Sequence, residues 1–165
     1  MTRIGLLAIV ALALGSGVGL GQTAARQGGA PVTARAGSGN APRHMAPTDK
    51  ALDFPLEMIN AEFADEVARK IATARLMEGG RFSLNARHIV GAENATSHPA
   101  TYEFYFIRQG TGTLVTGGTI VNNKVQGGVE RPVKAGDVVY IPPKTPHMLT
   151  NVPAPGISWL NIHFE

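Results

Sequence analysis

Three side chains able to hold a metal ion or move a proton fall in two short stretches. His98 and Glu103 lie in HPATYEFYFIRQG, and His147 lies in GDVVYIPPKTPHMLTN. Two neutral imidazoles and one carboxylate suit Fe, Mn, Ni, Cu or Zn, and a three-ligand set leaves coordination positions open for a substrate. A lone histidine in a β-rich chain is more often structural than a ligand. Glu103 weighs the other way: a carboxyl placed within the aromatic run from Tyr102 to Ile107 is costly to bury without a cation or hydrogen-bond partner.

The flanking residues say how these groups could be presented. Gly136-Asp137 opens a tight turn into a strand, and Pro142-Pro143 ends it, because proline fixes φ and removes a ladder donor. The chain must leave the sheet and re-enter it, which suits His147 at the mouth of a barrel. In the last stretch, Trp159, Asn161 and His163 alternate with Leu160, Ile162 and Phe164. If the apolar set packs outward, His163 looks inward as a ligand, a proton carrier or a donor to the ligands; the alternative is a surface histidine near a frayed terminus. Alternation from Glu103 places Tyr105 on the same face, where it lines a pocket or fills the core. Arg87 either pairs with an acid at the rim or reaches in to an anionic substrate. His88, on the opposite face, and His44 are expected to have no site role.

These groups need a scaffold. Leu56, Ile59, Phe63, Val67 and Ile71 recur at the period of one helical face. Pro55 suits the helix start, with Asn60 as an alternative N-cap, and Gly79-Gly80 supplies a stop. From Arg81 the period becomes two. RFSLNARHIV, TYEFYFIRQG, GTLVTGG, GDVVYIPP and ISWLNIHFE read as short strands separated by glycine- and proline-rich turns, which predicts an all-β sandwich or barrel. Nucleotide-binding glycine patterns and nucleophile elbows do not occur.

The charge excludes one class of partner. Of 15 Lys/Arg, Arg3, Arg26, Arg35 and Arg43 precede residue 44 and no Asp or Glu does, leaving eleven basic residues against twelve acidic ones beyond. The high pI of about 9.5 therefore belongs to the N-terminal tail, and nucleic-acid binding, which wants a basic stripe on the folded domain, gets no support. The tail itself starts with one arginine and an apolar run from Ile4 to Leu14, a signal-peptide pattern that predicts export to a bacterial periplasm or medium. Cleavage after Gly21 or Ala25 fits equally. An uncleaved anchor is the alternative if the continuation to Leu20 is counted, although the strictly apolar run falls short of the roughly twenty residues that span a bilayer. With no cysteine in the chain, disulfides and a cysteine-linked lipid are both out. Residues 22–50 are Gly-, Ala- and Pro-rich and predict a flexible tether.

The pattern His98-x4-Glu103-x6-Gly110, followed by Gly136-x5-Pro142-x4-His147-x3-Asn151, resembles the two motifs of the cupins. FYFIRQGTGTLVTGGTIV in particular is similar to exported, mostly uncharacterised small cupins that carry a helix before the barrel. The resemblance covers about Arg81 to the C-terminus. It implies an all-β fold, a short double-stranded β-helix or jelly-roll barrel preceded by one α-helix. The expected layout is a signal peptide over 1–21, a tether over 22–50, a helical segment over 51–80 and a barrel over 81–165. It implies a metal held by His98, Glu103 and His147, with His163 as a further candidate and Thr96 in the pocket, where strand alternation also offers Tyr105 and Arg87. Two departures stand out. Thr96 occupies the place of a histidine ligand, and Lys144 replaces a turn glycine, at a cost of about 1 kcal/mol if its φ is positive. Cupins include oxygenases, isomerases, decarboxylases, lyases and plain binding proteins, so whether this chain is an enzyme stays open. Two functions follow as expectations: an exported cupin binding one divalent metal and a small polar organic molecule, as an oxygenase or isomerase; or a metal-free ligand-binding or sensing cupin. A homodimer is also implied by resemblance alone.

Overall fold

A computed structural model describes residues 42–165. The signal-peptide expectation over 1–21 and the tether as far as residue 41 lie outside the described residues. The elements run β1 (His44–Met45), α1 (Leu56–Arg69), β2 (Thr73–Glu78), β3 (Phe82–Gly91), β4 (Tyr102–Gln109), β5 (Thr111–Thr116), β6 (Thr119–Val121), β7 (Lys124–Gln126), β8 (Val129–Lys134), β9 (Val138–Ile141), β10 (His147–Thr150) and β11 (Val152–Phe164). This is the all-β architecture with a preceding helix that the strand spacing predicts.

Two sheets carry the fold: six strands in the order β1-β2-β3-β11-β4-β9, and three in the order β10-β5-β8. Alternating side chains bury one face of each. Ile89, Tyr105, Ile107, Ile157 and Trp159 from the larger sheet meet Leu114, Val133 and Leu149 from the smaller one in a single core. The opposite face of the larger sheet is covered by α1, through Ile59 and Phe63 on Leu76 and Ala86, with Leu84 and Leu160 alongside. Leu160 thus faces the helix and Trp159 the core, as the alternation in ISWLNIHFE requires.

β11 is the central strand. It lies antiparallel to β3 and to β4 at once, placing His163 opposite both Ser83 and Glu103, and Asn161 opposite Asn85 and Tyr105. Sequential strands β3 and β4 are therefore separated in space by the last strand of the chain.

The helix differs from its sequence expectation. It ends at Arg69, where Lys70 adopts the left-handed conformation (φ 55°) and the Ile71 amide donates to the Glu66 carbonyl. Strand β2 follows, within the segment 51–80 expected to be helical. Leu56 and Val67 are exposed, whereas Glu62 and Glu66 are buried. The stripe that packs keeps Ile59 and Phe63 but takes in Glu62, which pairs with Arg43, while Arg43 also reaches Asp65 at 3.6 Å. Residues 43–46 are likewise not free tether: β1 pairs in parallel with β2, and the Arg43 and Ala46 amides bond to the Arg75 and Glu78 carbonyls. Among the described residues no helix is long and apolar enough to cross a membrane.

Candidate metal centre

Three imidazoles from three parts of the chain converge on one carboxylate. Glu103 projects inward from β4. His163 comes from the directly opposed position of β11, its Nε2 3.1 Å from Glu103 Oε2. His98 comes from the loop before β4, with Nε2 3.3 Å from Oε1, and His147 opens β10 of the other sheet, with Nε2 3.2 Å from the same oxygen. Ligand atoms of His98, Glu103 and His163 all lie within 4.8 Å of one another. His147, expected as the third ligand, falls outside that group and meets it through Glu103 Oε1, so His163 takes its place. Glu103 and His147 form the floor, their side chains 2% exposed, while His98 and His163 at 33% and 30% stand at the opening.

Backbone pairing fixes these positions. The Thr96 and His147 amides exchange hydrogen bonds with each other's carbonyls, and the Lys144 amide donates to the His98 carbonyl at 2.7 Å. The two histidines of the separate motifs are thereby held on adjacent backbones. Lys144 adopts φ 62° and Asn151 φ 51°. The lysine accepts a conformation that favours glycine, while asparagine tolerates it well.

The protonation pattern tests whether a cation fits. His147 Nδ1 lies 2.9 Å from the Thr145 carbonyl, which can only accept, so Nδ1 carries the hydrogen. Neutral His147 then turns a bare Nε2 lone pair toward Glu103 Oε1, and neither atom completes a hydrogen bond although both are buried. Two facing lone pairs require a cation between them, either a proton on Nε2 or a metal. Ligands about 2.0–2.2 Å from a first-row ion lie about 3 Å apart when adjacent, close to the separations here. The donor set fits a metal.

The electrostatics agree. Burial opposes the charge of Glu103, but the adjoining His147 and His163 outweigh it and hold the carboxyl well below the usual range. Burial lowers His147, yet Glu103 more than compensates and raises it above its ordinary value; His98 ends lowered, by burial first. A carboxylate that stays ionised beside imidazoles of divergent basicity is a ready cation site.

Arg87 and Thr96 line the cleft of about 410 Å³ above the cluster, together with Arg75 and Asn85. Arg87 pairs with Glu93 at 3.0 Å and also lines the cleft, so the rim ion pair exists without closing its other sequence alternative, a contact to an anionic ligand. Tyr105 does not line this cleft. It is 1% exposed, its ring packed between His147 and Trp159, so of its two alternatives the core holds. Burial also raises its phenol well above the ordinary value. His88 bonds Ser158 on the far face and His44 packs on Phe54; neither joins the cluster.

Two contributors escaped sequence reasoning. Asn161, fully buried, places Nδ2 2.8 Å from His163 Nε2 and 3.2 Å from Glu103 Oε2. Its place on the His163 face was the only signal. Glu93 fixes Arg87 with one oxygen and accepts the Leu149 amide with the other, at 3.0 Å. Nothing in the loop GAENATSH singles it out.

Comparison with known proteins agrees with the fold. Residues 88–163 match the cupin domain family. It is 34% identical over 89 residues, 52% of its length, to an uncharacterized protein of Methanocaldococcus jannaschii, of which it spans 62%. A crystal structure of a Bacillus halodurans protein superposes with a TM-score of 0.51 at 20% identity, over 67% of this chain and 80% of that one. A cupin 2 conserved barrel domain protein of Salinispora arenicola is 23% identical, covering 56% and 74%, with a TM-score of 0.44.

Proposed function

We propose that this cupin binds one divalent transition-metal ion at His98, Glu103 and His163, with His147 as a further ligand, and uses it on a small polar organic molecule. The observation that carries this reading is the convergence of His98, Glu103 and His163 ligand atoms within 4.8 Å of one another around a buried carboxylate. The ion would supply Lewis-acid or oxygen-handling chemistry of the kind used by isomerases and oxygenases. The chain's own groups do the rest. Glu103 provides the fixed negative charge, Thr145 sets the His147 tautomer, and the exposed edges of His98 and His163 leave the ligand an approach from the cleft. The test is metal analysis of untagged protein after exposure to Fe, Mn, Ni, Cu and Zn. About one ion per chain is expected, with Glu103→Gln reducing it at least tenfold. No ion in the wild-type protein would overturn the reading.

A second reading, ligand binding or sensing without metal, is favoured by Asn161. Its amide satisfies Glu103 Oε2 and His163 Nε2 in the absence of any ion. On that reading His98→Ala leaves ligand affinity unchanged. Export belongs to the proposal as well, carried by the run Ile4–Leu14. Recovery of the intact, uncleaved chain from the cytosol alone would refute it.

A further inference from the structure

The cleft above the imidazole cluster is lined by Thr73, Arg75, Asn85, Arg87, Thr96 and other polar or charged side chains, whose carbon stems and the His98 and His163 rings also face it. Their polar heads offer a ligand directed contacts.

Two guanidiniums dominate those contacts, from neighbouring strands β2 and β3. Each uses one nitrogen on a nearby carboxylate: Arg75 Nη1 on Glu78 at 2.8 Å, and Arg87 Nη2 on Glu93 at 3.0 Å. Arginine presents five donors and no acceptor. Arg87 Nε is buried and has no partner. That nitrogen is closed off from the cleft, but the guanidinium head lines it and Glu93 engages only Nη2. Arg87 is also preorganised. Its Cζ lies 4.9 Å over the Trp159 ring, and Glu93 is itself held by the Leu149 amide. Each guanidinium already has a carboxylate partner, Glu78 for Arg75 and Glu93 for Arg87, which argues against a polyanion.

We infer that the molecule taken up in this cleft is a small carboxylate, gripped by Arg87 with Arg75 beside it, and turned by that grip toward His98 and His163. The inference deepens the metal-dependent reading but needs the ion only at the far end of the ligand. The planar guanidinium fork matches a carboxylate better than an amide or an alcohol.

Calorimetric titration of the metal-exposed full chain with glycolate and with its neutral analogue glycolamide tests this, with metal content measured on every sample. Glycolate should bind about tenfold or more tightly than glycolamide. Arg87→Gln should abolish that preference at unchanged metal content, and Arg87→Lys should restore part of it. Arg75→Gln, at a partly exposed position, should weaken glycolate severalfold with the melting temperature unchanged, which keeps the test valid if Arg87→Gln fails to fold. Equal binding of the two probes, no binding of glycolate, or an Arg87→Gln protein that binds glycolate like the wild type would overturn the inference. Metal-free protein that still prefers glycolate through Arg87 would sink the metal reading and leave this one standing.

Discussion

At the scale of the residue, Glu103 organises the site because it is the one acceptor on which three imidazoles close. Ion and proton compete for His147 Nε2, whose basicity Glu103 raises. Metal ligands must be deprotonated, so metal affinity should rise with pH through and above 6.5, and binding should release a proton. Calorimetry in buffers of differing ionisation enthalpy would read that proton; a pH-independent affinity would contradict the assignment. Glu66 poses a separate problem beneath the helix. It is fully buried, and burial first, then Glu62, pushes its pKa up to about 8, against a lowering pull from the Ala74 amide. A raised carboxyl means the folded state holds a proton that the unfolded state loses near 4.5. Stability is therefore fully present below that pH and falls as pH rises toward 8. Glu66→Gln, which mimics the protonated acid, should flatten this slope and raise stability at pH 8 by at least ~1 kcal/mol. Denaturant unfolding at pH 5 and 8 checks it, and a loss of stability at both pH values would show that the carboxylate is needed.

At the scale of the element, turns set where the ligands stand. Gly110 joins β4 to β5 with φ 77°, and a Cβ there would collide with the Gly156 carbonyl and Ile157 Cα. Gly110→Ala should cost at least ~1 kcal/mol, more than the entropy it recovers; thermal melting would reveal it, and a neutral outcome would mean the two turns can separate. Lys144 is the converse. Its φ of 62° sits at the turn whose amide holds the His98 carbonyl. Lys144→Gly should be neutral or stabilising by up to about 1 kcal/mol. The helix shows why periodicity alone misled. The apolar positions Leu56 and Val67 share the expected face yet lie exposed, while Glu62 is buried in an ion pair with Arg43. A partner far along the chain is invisible to a local period.

At the scale of the molecule, the proposed ion would tie both sheets together, since His147 belongs to β10-β5-β8 while Glu103 and His163 belong to the larger sheet. An ion at 100-fold over its Kd would add about 2.7 kcal/mol to folding, roughly 2–4 °C in Tm for each kcal/mol in a domain of this size class. Chelation should lower Tm accordingly and return of the metal should restore it. A Tm indifferent to chelator in metal-loaded protein would place the ion off this site.

Much of this was legible in the residues themselves. Alternation in TYEFYFIRQG and ISWLNIHFE declared the strands and the inward set, because side-chain direction in a strand follows from a period of two, and the placing of His98, Glu103, His147 and Asn151 resembled the cupin motifs. Tertiary structure decided which strands are neighbours. The register of β11 on β4 sets His163 directly across from Glu103 and brings Asn161 between them. Pairing between residues some sixty positions apart is a property of the whole sheet, and no local period encodes it. The same holds for β2 and for the docked Arg43 segment, whose order depends on a strand edge and a buried glutamate that exist only once the chain has folded.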